Sequence, residues 1–176
     1  KPAWSGLPDW RRYLEIINPT SDIATELRHY HVGQVVSLGD PRFSATNVRW
    51  GLWVPQEFLP DTGAGLYFLQ EYASDKTPIL FVHGSGGNPT DFRPLIEGLD
   101  RSRYQPWVYF YPTGTRLERQ SELLHHILTA LQNQLEFRQL CVLAHSMGGL
   151  VARGATSGAV KPPAPIEVPT FITLSP

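Results

Sequence analysis

Ser146 is the residue of this chain whose neighbours best equip it for chemistry. It lies in Ala144-His145-Ser146-Met147-Gly148-Gly149, directly after the apolar run Leu140-Cys141-Val142-Leu143. A buried strand that ends in small-x-Ser-x-Gly and turns at once into a helix predicts a serine at the tip of a tight, strained turn. The small residues two before it (Ala144) and two after it (Gly148) let strand and helix pass close together. The hydroxyl then stands clear of the sheet, and the helix begins beneath it. A helix N-terminus favours negative charge. The chemistry predicted is nucleophilic attack by a hydroxyl.

A second stretch has the same build. Pro78-Ile79-Leu80-Phe81-Val82 reads as a buried strand and runs into His83-Gly84-Ser85-Gly86-Gly87. Glycines suit a loop that must present a backbone N–H to a substrate oxygen with no side chain in the way. Two strand-plus-turn motifs in this order are stronger evidence for such chemistry together than either is alone.

Other reactive residue types fit the site less well. Cys141 lies inside the strand before Ser146 and reads as a small buried apolar residue, not a nucleophile. His83 precedes the glycine loop and is expected to hold it by a hydrogen bond. His145 adjoins Ser146, but adjacent side chains on a strained turn point apart. His125 and His126 lie mid-helix with no partner at ligand spacing and read as helix surface. His29 and His31 would need distant partners to bind a metal. Tyr109, Phe110 and Tyr111 read as core, with Tyr111 and Thr113 as weaker candidates to touch substrate at a strand's C-terminal end.

The elements needed to position these residues follow from the pattern. Pro8–Ile17 and Asp22–His29 read as short helices, and Val32–Leu38, Asn47–Val54 and Gly65–Leu69 as strands that begin the sheet in antiparallel fashion or extend beside it. From Pro78 strands and helices alternate. Ile79–Val82 is followed by a helix over Thr90–Leu99, capped by Thr90 or Asp91 with Pro94 in its first turn. Trp107–Tyr111 is the next strand, and Leu117–Phe137 a long amphipathic helix with Leu117, Leu124, Leu128, Leu131 and Leu135 near one face. Leu140–Ala144, Met147–Thr156 and Ile166–Leu174, interrupted by Pro169, complete the run. This order predicts an α/β fold: a mostly parallel sheet with helices on both faces.

Composition bounds the rest. The 176 residues, 41% hydrophobic and 18% charged, suit one domain. A net charge of −1 offers no electrostatic argument for nucleic acid or an anionic membrane surface. One cysteine excludes an intramolecular disulfide. No apolar run reaches the ~18 residues of a transmembrane segment. No signal peptide is visible, and the chain starts at Lys1 without methionine, so the compartment stays open, cytoplasmic or exported. Gly39-Asp40-Pro41, Pro60-Asp61-Thr62-Gly63, Gly86-Gly87-Asn88-Pro89 and Lys161-Pro162-Pro163-Ala164-Pro165 read as loops, the last as a rigid connection.

These motifs resemble the α/β-hydrolase superfamily. They look most like its lipase/esterase-like members and the GPI-inositol-deacylase-like group, with openings of the Phe-Val-His-Gly type (Phe81–Gly84) and elbows of the Ala-His-Ser-Met-Gly-Gly type (Ala144–Gly149). The general pattern has glycine where this chain has Ala144, a departure that some bacterial lipases share. The resemblance is firm over Pro78–Thr156, weaker over Asn47–Leu69 and Pro169–Pro176, and says little about Lys1–Gly39. It implies an α/β-hydrolase fold and a carboxylic-ester hydrolase, lipase- or esterase-like, working through an acyl-enzyme on Ser146. The backbone N–H groups of Ser85 and Met147 would form the oxyanion hole. No metal or organic cofactor is implied, and the partner is a small ester or lipid substrate.

One departure matters. The family's triad runs Ser…Asp/Glu…His along the chain. After Ser146 this sequence has no Asp and no His, and its only acid is Glu167. The expectation is one incomplete α/β-hydrolase domain over 1–176, truncated after the strand that follows the elbow helix. Residues 1–77 would be an N-terminal extension and first strands, and 78–176 the core with both motifs. The alternative is a hydrolase-fold module without catalysis, binding a lipid or protein partner. A sheet cut beside the nucleophile strand would expose a hydrophobic edge.

Overall fold

The computed structural model describes residues 22–157 and 166–175. The helix expected at Pro8–Ile17 and the connection Lys161–Pro165 lie outside them. In chain order the elements are α1 (Asp22–Leu27), β1 (His31–Val35), α2 (Ala45–Trp53), α3 (Pro55–Thr62), β2 (Gly65–Phe68) and β3 (Thr77–Val82). After these come α4 (Arg93–Glu97), β4 (Tyr104–Phe110), α5 (Leu117–Leu135), β5 (Cys141–His145), α6 (Met147–Thr156) and β6 (Phe171–Leu174). Single 3-10 turns cover Pro41–Phe43 and Pro89–Phe92.

The strands form one sheet in the order β1-β2-β4-β3-β5-β6. β4, β3, β5 and β6 are mutually parallel. β2 runs antiparallel to β4, and β1 runs parallel to β2. β1 and β2 therefore run parallel to each other and opposite to the four strands that follow, so the expected antiparallel start is confined to the junction of β2 with β4. β6 is an edge strand, with Ile172 and Leu174 exposed.

Both faces are covered. Register places Val82 beside Tyr109 and Ala144 on one face. On that face Tyr109 donates a hydrogen bond to Gln120 of α5 at 2.9 Å, and α6 lies against α5. On the other face Phe81 packs on Phe92, and Phe110 packs edge-on against Phe43 and Phe58, which brings the 3-10 turns and α3 to the sheet. A mostly parallel sheet layered this way is consistent with an α/β-hydrolase fold.

α5 buries Leu123, Leu124, Ile127, Leu128 and Leu131, close to the stripe the sequence suggests. It is not apolar enough to span a bilayer, and no described helix is. His125 corrects the sequence reading. It is buried, not on the helix surface, and its Nδ1 lies 2.9 Å from the carbonyl oxygen of Ala155 in α6.

Asn47–Val54 was expected as a strand and is helix α2. Its alternating Val48, Trp50, Leu52 and Val54 mimic a period of two. Ser44 decides otherwise, because its side chain accepts a hydrogen bond from the Asn47 N–H and caps a helix. Pro60–Thr62, read as loop, falls in α3, which Pro55 opens at a first-turn position and Gly63 closes. The helix expected over Thr90–Leu99 is split. Pro94 has no N–H to give the Thr90 carbonyl, so the chain makes a 3-10 turn before α4. Its cap is Asn88, not Thr90 or Asp91, in a reciprocal capping box with Asp91.

β4 starts earlier than expected, before Pro106. The Pro106 carbonyl accepts from Leu69 N–H, just past the end of β2. A strand residue's N–H and C=O face the same side, so the missing N–H falls where β2 has ended. β6 starts later than expected, because Pro169 confines Glu167 to an isolated bridge with Gln139.

The core is aromatic. Trp107 is fully buried, stacks on Phe68 at 4.4 Å and meets Phe137 edge-on at 5.2 Å. Trp107→Ala is expected to lower unfolding free energy by ~3 kcal/mol, toward the low end for such truncations, because the buried indole N–H has no hydrogen-bond partner among the described residues. Urea denaturation of the two proteins checks this, and a change below ~1 kcal/mol would refute it.

Candidate active site

Ser146 stands alone between β5 and α6, with φ 48° and ψ −127°. A side-chain-bearing residue rarely adopts a positive φ, so the turn is strained. Hydrogen bonds on both sides hold it. The Ser146 N–H donates to the Leu174 carbonyl of β6 at 2.9 Å, and the Gly149 N–H donates to the Ser146 carbonyl at 2.9 Å. Gly148 is what allows α6 to start there. A Cβ on it would lie 2.3 Å from the Val82 carbonyl oxygen and 2.4 Å from that of His83. Ala144, where the family pattern has glycine, is fully buried and accommodated.

The glycine loop reaches this turn. A Cβ on Gly84 would lie 2.9 Å from Ser146 Cβ, so loop and serine are in contact. The loop is a tight turn closed by Gly87 N–H donating to the Gly84 carbonyl at 3.1 Å, with Gly86 at φ +65°. From outside, Gly86 N–H donates to Thr113 Oγ1 at 3.1 Å. The structure thus brings Ser146, Met147 and the Ser85 loop together. Among the described residues, no hydrogen bond satisfies the N–H of Ser85 or of Met147, the first residue of α6.

His83 is fixed beneath the loop, as expected. It is buried, stacks on Tyr111 at 4.5 Å, and its Nδ1 lies 3.0 Å from the Gly84 carbonyl oxygen. A carbonyl accepts only, so Nδ1 carries the proton and Nε2, which has no hydrogen-bond partner among the described residues, carries the lone pair. Burial pushes the ring's pKa down to about 4, against smaller opposing effects of the Gly84 carbonyl and Asp91. Tyr111 and Thr113 serve the loop. Tyr111 is buried and donates to the His83 carbonyl at 2.8 Å, while Thr113 accepts from Gly86.

His145 is exposed and makes no hydrogen bond to Ser146, although its Nδ1 flanks Gly84. Cys141 is half-buried instead of buried, and burial raises its thiol pKa, which disfavours the thiolate. Among the described residues no cluster of three or more His, Cys, Asp and Glu could hold a metal ion.

Sequence reasoning missed one group. Leu150, Arg153 and Thr173 join Ser146 and Met147 around an open depression of ≈ 340 Å³. The Arg153 guanidinium lies 4.8 Å from the centre of the Phe171 ring. The signal was available, since Leu150 and Arg153 follow Ser146 at +4 and +7 on one helix face. Larger depressions of ≈ 710 Å³ and ≈ 620 Å³ lie away from Ser146, beside Arg116 and Arg138 respectively.

No protein-family profile and no curated protein matches the sequence. Among solved structures, a carboxylesterase of the ammonia-oxidizing thaumarchaeon Nitrososphaera gargenis matches with a TM-score of 0.46 and 19% identity, over 65% of this chain and 42% of that one. Juvenile hormone epoxide hydrolase of the silkworm Bombyx mori matches with a TM-score of 0.38 and 12% identity, over 87% of this chain and 49% of that one. The chain thus spans less than half the length of either.

The His83 pKa makes a pH prediction. The unfolded chain protonates this ring near 6.5 and the folded chain only near 4. Stability is therefore fully present above pH 6.5, falls as pH drops toward 4, and levels off below. The loss amounts to about 3 kcal/mol over that window. Urea titrations at pH 7 and pH 4.5 should show this component in the wild type and not in His83→Gln. Equal pH dependence of the two proteins would refute it.

Proposed function

We propose that this chain carries the nucleophile and oxyanion-binding parts of a serine hydrolase acting on carboxylic esters, lipase- or esterase-like. The observation that carries the reading is the strained strand-to-helix turn of Ser146, in contact with a glycine loop beside it. Ser146 is the nucleophile of a nucleophile elbow. Its Oγ attacks the acyl carbonyl carbon, and the carbonyl oxygen becomes an oxyanion. The backbone N–H groups of Ser85 and Met147 receive that oxyanion, and the N-terminus of α6 adds favourable potential. One such donor is worth ~3 kcal/mol in the transition state. Collapse of the tetrahedral intermediate breaks the bond to the leaving oxygen, which takes up the proton that Ser146 Oγ gave to a base and departs as the alcohol, and water then hydrolyses the acyl-enzyme. The depression beside Ser146, with half-buried Met147 and exposed Leu150, offers apolar contact to the acyl group.

The serine also needs a base. Among the described residues no histidine hydrogen-bonds Ser146, since His83 faces Gly84 and His125 faces Ala155. A serine hydroxyl without a base stays protonated and weakly nucleophilic at neutral pH. This chain by itself is therefore a poor catalyst with an intact nucleophile turn. The same observation suits a second reading, a hydrolase-fold module that binds a lipid or a protein partner without turnover.

Hydrolysis of p-nitrophenyl butyrate by the chain and by Ser146→Ala tests the proposal. The expected result is slow turnover that the substitution abolishes, with slow covalent labelling of Ser146 by a fluorophosphonate. A Ser146-dependent enhancement of the order of 10⁶, the size expected of a complete triad, would show that one of the chain's own histidines is the base. Turnover indifferent to the substitution, with no labelling, would favour the binding module.

A further inference from the structure

We propose that Arg153 is a specificity residue that receives an anionic group at the far end of the acyl chain, so that the preferred substrate class is the half-ester of a dicarboxylic acid. The inference rests on the reading of Ser146 as a nucleophile and names the substrate that this site takes.

One depression joins the two residues. Ser146 and Arg153 both line the ≈ 340 Å³ space along α6 and β6, together with Met147, Gly149, Leu150 and Thr173. Arg153 follows Ser146 by two helical turns, so the two positions stand ~10 Å apart along the axis of α6. Gly149 lets the helix lie on β6 here, since a Cβ on it would meet Thr173 Cγ2 at 2.9 Å. The surface from the serine to the arginine is therefore continuous, and nothing on it but Arg153 carries a charge.

Among the described residues no acid neutralises Arg153. It takes part in none of their ion pairs. The only acid after Ser146 is Glu167. That carboxylate accepts a hydrogen bond from Gln139 at 3.3 Å and lines a different depression. The guanidinium is nevertheless held in place, over the Phe171 ring and 4.8 Å from its centre. A guanidinium seated over a ring uses no hydrogen-bond donor there, and its N–H fork stays free to match a carboxylate. A cation held without a counter-charge, in the same depression as a nucleophile, selects substrates by charge. About four to six methylene groups between the two carboxyl carbons span this separation, allowing for the reach of the arginine side chain. They would lie along Met147 and Leu150. Arg153 is exposed, so water and salt screen the pair and the preference it confers is modest, about fivefold.

Two ethyl fluorophosphonates applied to the full chain test this. One carries a hexyl chain on phosphorus, and the other ends the same chain in a carboxylate in place of its last methyl. The phosphonyl group takes the place of the attacked carbonyl. The quantity read is the probe concentration that gives half the maximal rate of Ser146 labelling. In the wild type at low salt the carboxylate probe is expected to half-saturate at about fivefold lower concentration than the hexyl probe, and about 1 M NaCl should bring the two together. Arg153→Gln should bring their ratio to about one, and Arg153→Lys, which keeps the charge, should retain part of the preference. An arginine that served the fold alone would affect both probes alike and leave the ratio where it was. Equal half-saturation by the two probes in the wild type overturns the proposal without recourse to a variant. A preference that survives in Arg153→Gln also overturns it, because another group would then supply the charge. Labelling by the hexyl probe with no preference for the carboxylate removes only this proposal. Absence of labelling by either probe removes the serine-hydrolase reading and this proposal with it.

Discussion

Helix α6 starts over the end of β3 with no space for one methyl group at Gly148. The Val82 and His83 carbonyls occupy that space. The strand that leads into α6 must therefore turn sharply, and Ser146 absorbs the turn in a positive-φ conformation. The cost of such a conformation is of the order of 1–3 kcal/mol and persists only where the surroundings over-determine it. Here they do. β6 fixes the Ser146 N–H, α6 fixes its carbonyl, and Gly84 lies against its Cβ.

The loop beside the serine depends on a different kind of support. Its glycines give it little conformational preference of their own, so β4 supplies it. Tyr111 and Thr113, just past the end of β4, hold the His83 carbonyl and the Gly86 N–H. The His83 ring lies flat against Tyr111, neutral because burial makes its charged form costly. Side chains just past one strand thus determine the shape of the loop after its neighbour. α2 adds to this, because the Gly51 carbonyl receives the Gly114 N–H and Leu52 lies near Gly86. That role belongs to a helix whose alternating apolar residues imitate a strand.

The two halves of the sheet differ in how far sequence pattern governs them. From Pro78 onward short apolar runs alternate with amphipathic segments, and a parallel sheet buried on both faces needs that pattern. Before Pro78 the segments are short, and caps and prolines override periodicity. Ser44 and Pro55 start helices where alternation and loop composition pointed elsewhere.

The sequence by itself determined the elements with local causes. The strand-to-helix turn at Ser146 was legible because small residues at fixed offsets have a steric reason. The glycine loop was legible because a run of glycines has few other uses, and the mostly parallel sheet because hydrophobic runs and connection lengths restrict the topology. Only the tertiary structure decided what depends on contacts between distant segments. That Thr113 bonds Gly86 across 27 positions, that His125 is buried against Ala155, and that Arg153 lies over Phe171 all require packing to bring them together. No local pattern encodes these contacts. A side chain's role there is set by which neighbour the fold supplies, and a threonine, a histidine or an arginine read alone carries no record of that neighbour.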